Sequence, residues 1–441
     1  MNAARYARHY LRTAYWRVRH GLSALRRSAR TACGHAVRPL LGRWRFIAVT
    51  GSCGKTTTTG LLAHLVDAPS SQLLTRGLNN ANGAARAFFR LMWRSPATAV
   101  FEVTGHAPGA IRRTTSLIRP SVGIVTVVGL DHTTAFGPIQ ATADEKMSLV
   151  ADLPENGLAV LNADDPLIME RAPVTAAPVV TFGEAEGATL RLLHLHDCWP
   201  DPLTLKVRWR DEEFEVRSPL IGRQSVGVVL AALLTALEMG FDRNLLVERI
   251  AEFEPFMNRM SVHAMPDGRH FVLDAWKAPQ WTMDTCLAFL EPVQAPRKTV
   301  VLGTLSDVRG NTRRRYEATA RRALEVADRV LFVGEESARV RRVKDPDAQG
   351  RLFMFDRIRD AHDFLQEDRV PGEVIYVKGS RADHLERLMH ATHADIACWR
   401  YRCGKRFQGC SYCGLLLDRR IRDWRRCSTL PWLTQQQRLP I

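Results

Sequence analysis

Apolar and polar positions along the chain repeat one pattern twice: short apolar runs separated by amphipathic stretches of helical length. The runs Phe46–Thr50, Thr98–Val103, Val122–Val128, Leu158–Asn162 and Val179–Phe182 are nearly continuous rather than alternating. That predicts strands buried on both faces, as in a parallel sheet covered by helices. Residues 190–216 differ, with apolar and polar positions alternating around a Pro/Asp turn, which predicts an antiparallel insertion. A long apolar helix is expected over Ser225–Met239. A second series of runs follows at Phe271–Asp274, Thr299–Gly303, Arg329–Val333 and Glu373–Val377, the first three each trailed by a helix-like stretch. The break between the series falls near Glu254–Arg259 and predicts a hinge.

Composition changes this picture only at the ends. The chain has 441 residues, enough for two or three cored domains, and no apolar run is long enough for a transmembrane helix. The net charge of +16 is unevenly spread: residues 1–45 hold eleven arginines and no acid, and residues 398–441 hold ten Lys/Arg against Asp418 and Asp423, leaving the body near neutral. The start, with Tyr6, Tyr10, Tyr15, Trp16, Leu22 and Leu25 among arginines, reads as a basic amphipathic helix. Such ends suit any polyanion: an anionic membrane surface, a nucleic acid or an acidic partner; the alternative is a solvated helix packed on the body. Arginines interrupt every apolar stretch of the start, so no secretory signal is read. The expected location is cytoplasmic, with peripheral contact at the cytoplasmic membrane face.

Residues 46–59, FIAVTGSCGKTTTT, carry the clearest chemistry: an apolar strand, a glycine turn, then a lysine and threonines opening a helix. Gly51 and Gly54 let backbone N–H groups of Ser52, Cys53 and their neighbours approach phosphate oxygens. Lys55 supplies charge, Thr56 and Thr57 supply hydroxyls, and the helix N-terminus adds to the field. Val49 stands where the longer phosphate-loop spacing has glycine, so the motif is the shortened GxxGKT.

Further segments follow in order: NNANG at 79–83, VFEVTG at 100–105, PSVGIVTVVGLDHTTAFG at 120–137, Lys146 and AVLNADDP at 159–166. Beyond the hinge come FMNRM at 256–260, VLDAWKAP at 272–279, VLGTLSDVRG at 301–310 and YVKGSR at 376–381. Together with TGSCGKTTT these resemble the Mur ligase family, ATP-dependent enzymes that form amide bonds in bacterial cell-wall precursors. The wording is nearest to members that add D-alanyl-D-alanine. The resemblance covers about residues 46–392 and implies an α/β fold. A central P-loop-type parallel-sheet ATPase domain (46–257) is joined to a Rossmann-like α/β domain (258–392), flanked by the basic extension (1–45) and a Cys-rich tail (393–441).

The resemblance implies ATP and Mg²⁺ as cofactors, and an acidic carboxylate substrate and an amino acid or short peptide as partners. It implies a carboxylate activated as an acyl phosphate and attacked by an amine, with Lys55, His132 and Lys146 in catalysis. Thr56 and Glu102 are implied to hold a first Mg²⁺, His132 a second, and Lys146 to be a carbamylated ligand for a hard metal ion. Arg259 is implied to reach nucleotide phosphate, Asp274 to contact ribose, and Lys378, Ser380 and Arg381 to handle the incoming carboxylate.

The chain departs from the family in three places. Where the adenine-side helix usually begins GxHNxxN, residues 222–228 read GRQSVGV, with Gln224, Ser225 and Val228 in the changed positions. VLDAWKAP lacks an Asn/His-rich tail, so Trp276 and Lys277 suit a different acceptor. Only 45 residues precede the loop, too few for a UDP-binding domain, which argues against a UDP-linked substrate. Five of the nine cysteines crowd the tail, and Cys398, Cys403, Cys410 and Cys413 are spaced as a candidate Zn²⁺ set, with redox-active or structural thiols as the alternative. His390 and His393 are possible substitute ligands. The leading function is an ATP-dependent amide ligase. The alternative is a nucleotide-binding scaffold with a weakened adenine site that grips membrane or nucleic acid through its basic, zinc-binding ends.

Overall fold

The computed structural model of the chain describes residues 25–70, 78–131, 133–343, 350–400, 403 and 409–417. These fall into two compact units: 25–128, 140–182 and 231–241 in the first, and 129–139, 183–230 and the described residues from 242 onward in the second.

The first unit is a parallel sheet in the order β2-β1-β3-β4-β5. Its strands are β1 (Arg45–Thr50), β2 (Thr98–Glu102), β3 (Val122–Val125), β4 (Leu158–Asn162) and β5 (Val179–Gly183). In β1 only Arg45 reaches solvent, as a run of six residues with five apolar or small side chains requires inside a two-sided sheet. Because β2 and β3 flank β1 on opposite sides, the carboxyl end of β1 is a topological switch point, where open α/β sheets leave a crevice. Phe46, Phe88 and Phe101 meet at centroid separations of 5.6–6.0 Å and anchor one face.

Part of the basic extension belongs to this unit. Residues 25–37 are helical, and a Cβ on Gly34 would lie 2.7 Å from that of Ala85, so the helix sits close against Ala81–Leu91. Arg30 Nη1 donates to Asn82 Oδ1 (2.9 Å), and Arg38 lies over the Phe46 ring while its Nε donates to Ile118 O (2.7 Å). The described part of the extension thus packs on this unit, whereas Tyr6, Tyr10, Tyr15, Trp16 and Leu22, on which the expected amphipathic helix rests, lie outside the described residues.

The second unit holds the antiparallel meander expected near 190–216: β6 (Leu190–His196), β7 (Leu203–Trp209) and β8 (Glu212–Ser218). It also holds a six-stranded sheet in the order β13-β12-β11-β14-β10-β9. Its strands are β9 (Ser261–Ala264), β10 (His270–Asp274), β11 (Lys298–Leu302), β12 (Arg329–Val333), β13 (Leu352–Phe355) and β14 (Val374–Lys378). All neighbours are parallel except β9 against β10. Alternate side chains feed two cores: Val272, Val300, Val330 and Tyr376 on one face, Phe271, Val301, Leu331 and Ile375 on the other. At the amino ends of these strands the fully buried Glu373 accepts from Arg297 Nη2 (2.9 Å), Arg329 Nη2 (2.8 Å) and the Thr299 hydroxyl. That end of the sheet is a closed ion network.

Candidate functional site

Between β1 and the helix Lys55–Leu65 the chain makes the turn that the GxxGKT motif predicts. Gly51 has φ +142°, and a Cβ there would stand 2.0 Å from Thr126 Oγ1; Gly54 is left-handed at φ +81° as the helix N-cap. Both glycines are therefore required by the path of the loop. Thr126 ties the loop to β3, its hydroxyl donating to Cys53 O (2.6 Å), while Ser52 N donates to Val127 O (2.7 Å). Lys55 folds back over the turn, its Nζ donating to Gly51 O (2.6 Å) and Ser52 O (3.4 Å). A cation thus lies against an arch whose remaining N–H groups and helix N-terminus attract an anion.

Thr56 and Glu102 come together as expected: Thr56 Oγ1 donates to Glu102 Oε2 at 2.9 Å. Asn79 Nδ2, from the NNANG segment, donates to the other oxygen at 2.9 Å and fixes the carboxylate plane. Glu102 is buried at the carboxyl end of β2. This hydroxyl–carboxylate pair beside a phosphate-shaped loop offers oxygen atoms of the kind that hard divalent cations take. Lys146 is fully buried on the helix Ile139–Ala151. Its neighbour Glu145 is a cap instead, accepting from Gly109 N (2.7 Å) and Ile111 N (2.8 Å) at the start of Ala110–Ile118. His132 lies outside the described residues.

In the second unit the expected residues gather at the carboxyl ends of β10 and β14, where Asp274 and Lys378 are register partners. Lys378 Nζ and Tyr376 Oη (3.2 Å) both donate to Asp274. The acid expected to contact ribose and the lysine expected to hold a carboxylate thus neutralise each other. The Ser380 hydroxyl accepts from Ala382 N (3.3 Å) as the N-cap of the turn Arg381–Asp383, with Asp383 completing a capping box. Its role in this structure is to shape the turn. Arg381 and Arg259 converge on Trp276, 4.3 and 5.2 Å from its ring centroid. Burial, reinforced by Arg259, pushes the Arg381 pKa down to about 10. Two guanidinium groups on one indole make an anion-seeking surface.

Two residues in the departures from the family also find roles. Lys277 donates to the buried Asp131 and lies 3.3 Å from Asp307; against the opposing effect of burial, these carboxylates hold the lysine pKa above its usual range. Gln224 keeps both amide atoms buried with no hydrogen-bond partner among the described residues, whereas the Ser225 hydroxyl donates to Ile221 O (2.7 Å).

The tail corrects the spacing argument. The four cysteines Cys398, Cys403, Cys410 and Cys413 do not form a converged donor set. Among the described residues, the group with three potential ligand atoms within 4.8 Å of one another is His384, Glu386 and Cys410. Arg387 Nε donates to Cys410 Sγ (3.0 Å), and Cys403 Sγ contacts His384 Nε2 (3.3 Å). Counting along the tail could not reveal His384 and Glu386, which precede Cys410 by 26 and 24 residues and are brought to it by the fold. His390 Nε2 pairs with Ser411 Oγ at 2.8 Å.

Residues 49–236 match the model of the Mur ligase middle domain. The UDP-N-acetylmuramoyl-tripeptide–D-alanyl-D-alanine ligase of Mycobacterium tuberculosis (strain ATCC 25618 / H37Rv) is 26% identical over 410 residues, covering 86% of this chain and 78% of that protein. The Escherichia coli (strain K12) ligase of the same name is 24% identical over 363 residues, covering 80% and 78%. Among solved structures, MurF from Acinetobacter baumannii superposes with a TM-score of 0.73 at 23% identity over 83% of this chain and 80% of that one. MurF from Thermotoga maritima, solved in complex with ADP, gives 0.70 at 21% identity, over 83% of each. The segment 49–236 thus matches the Mur ligase middle domain, and the chain is similar in sequence to D-alanyl-D-alanine-adding ligases and in fold to MurF.

Proposed function

We propose that this protein is an ATP-dependent amide ligase of cell-wall precursor synthesis, activating a substrate carboxylate as an acyl phosphate for attack by the amine of an amino acid or short peptide. The observation that carries the reading is the loop at the end of β1, in which Lys55 arches over Gly51 and Thr56 meets Glu102 at 2.9 Å. Bound ATP supplies the phosphoryl group and bound Mg²⁺ neutralises its charge. Loop N–H groups hold phosphate oxygens, and Lys55 stabilises negative charge that builds up during transfer. Thr56 and Glu102 hold the first Mg²⁺; His132 and a carbamylated Lys146 hold the second. Carbamylation replaces an ammonium at a fully buried position with an anionic oxygen ligand. Gln224, whose amide donor and acceptor have no partner among the described residues, reads the nucleotide base in place of the family's histidine.

Arg259 and Arg381 bind anionic groups of nucleotide or substrate, while Asp274 and Lys378 act as a coupled pair that a ribose hydroxyl or a carboxylate has to open. The substrates are a peptide precursor with a free carboxylate and a D-alanyl-D-alanine-like dipeptide, by analogy with the named relatives. The division into domains at 46–257 and 258–392 belongs to this reading. So do a cytoplasmic location, polyanion contact by the basic ends and zinc in the tail. No helix among the described residues is long and apolar enough to cross a membrane. The scaffold alternative finds no support among the relatives, whose names are those of ligases.

Phosphate release with MgATP, measured over a panel of carboxylates and amines, tests the proposal. Release that needs both substrates and vanishes in Lys55→Ala is expected; no substrate-dependent release across the panel overturns it.

A further inference from the structure

The turn that follows the KGSR segment ends in an unusual residue. His384 caps Arg381–Asp383 in the left-handed region (φ 56°, ψ 40°), a conformation uncommon outside glycine. It is buried, as are Glu386 and Cys410. One Glu386 oxygen accepts from Cys410 N (2.7 Å), whereas Oε2 is buried without a hydrogen-bond partner among the described residues. His384 has the same asymmetry: Nε2 meets Cys403 Sγ at 3.3 Å, and Nδ1 is buried with no hydrogen bond among the described residues, 3.9 Å from Glu386 Oε1. A carboxylate oxygen and an imidazole nitrogen left unsatisfied at this depth are costly unless something binds them.

The geometry points to a zinc site made by His384, Glu386 and Cys410. One ligand atom from each lies within 4.8 Å of the others, the scale on which a four-coordinate ion gathers its donors. A nitrogen, an oxygen and a sulfur together suit zinc better than a hard ion, which takes oxygen alone, or a soft one, which takes sulfur. The surrounding contacts complete the design. Cys403 Sγ engages Nε2 of His384, which leaves Nδ1 as the ligand atom, and Arg387 donates to the Cys410 sulfur from outside the set. Binding releases the Cys410 thiol proton to solvent. The site pins Cys410 and its neighbours 409–417 to the turn carrying Arg381, so zinc holds in place a loop implicated in anion recognition. It does not rest on the ligase reading.

Metal analysis of the full chain, purified without added metal, should find about one zinc per protein. Cys410→Ser and Glu386→Gln should retain zinc at least about tenfold less well, while Cys398→Ser keeps it. A chain that carries no zinc and takes up none from solution overturns the proposal. So does zinc lost in Cys398→Ser or Cys413→Ser and kept in Glu386→Gln, the result of an all-thiolate site. Should Cys410→Ser fail to fold, cobalt substitution of the unmutated chain decides: sulfur-to-cobalt charge transfer for one thiolate supports the set, and that for three or four overturns it.

Discussion

The two sheets each end in a charged loop, but the loops solve the charge problem in opposite ways. At the end of β1, glycines expose backbone N–H groups, and Lys55 leans on carbonyl oxygens, with no acid in hydrogen-bond contact among the described residues. At the ends of β10, β11 and β14, charges are matched internally: Lys378 on Asp274, and Asp383 on the N–H groups of Ser380 and Thr304. The first loop is built to be completed by an anion. The second is built to keep its shape, presenting Arg259 and Arg381 on Trp276 from a framework already satisfied. A strand-end loop therefore signals binding less by the charge it carries than by whether the charge is already balanced.

Four substitutions or conditions separate the two designs. Lys55→Ala should lower substrate-dependent phosphate release by about 10²–10³-fold, with the melting temperature nearly unchanged. A comparable loss of stability would mean that the first loop, too, is a structural brace. Asp383→Ala should do the reverse, since it strands Ser380 N, Thr304 N and the Thr304 hydroxyl, bonded at 2.8–2.9 Å. A cost of about 3 kcal/mol is expected in urea unfolding. Gly51→Ala should cost about 2 kcal/mol, because its φ of +142° and the 2.0 Å approach to Thr126 Oγ1 both resist a Cβ. Pairing it with Thr126→Ala should recover part of the loss; no recovery would place the whole penalty in the backbone.

The smallest effect concerns pH in the second unit. Burial, helped by His393, lowers the His263 pKa from 6.5 to about 4 in the folded protein. The unfolded chain binds the proton more readily across that interval, so His263 contributes its full stability above about pH 6.5 and loses it as pH falls toward 4. For this half-buried group the contribution is on the order of 1–2 kcal/mol. His263→Gln should flatten the acid limb of a stability–pH curve, and an unchanged limb would assign it to other groups.

Strands buried on both faces were legible because their apolar runs are unbroken: β4 and β12 match the expected bounds residue for residue. The edge strands β9 and β13 were missed. Each is four residues long and pairs on one side only, so neither needs a long apolar run. In the first site, residues adjacent in sequence meet through backbone geometry, and the motif carries that information. In the second, Ser380 lies just past the end of β14, and its hydroxyl is committed to a cap that Asp383, three residues on, completes. The tail shows the remaining gap. Cysteine spacing identifies thiols near one another in the chain, while the converged donors include a histidine and a glutamate supplied by an earlier turn.

The ion network at the amino ends of the second sheet has a thermal consequence. Glu373, Arg297 and Arg329 give up hydration to be buried together, and the free energy of that hydration weakens on heating. Apolar burial, by contrast, reaches a plateau. The base of this sheet is thus the part whose cohesion is best preserved as temperature rises, away from the strand ends where ligands are expected to bind.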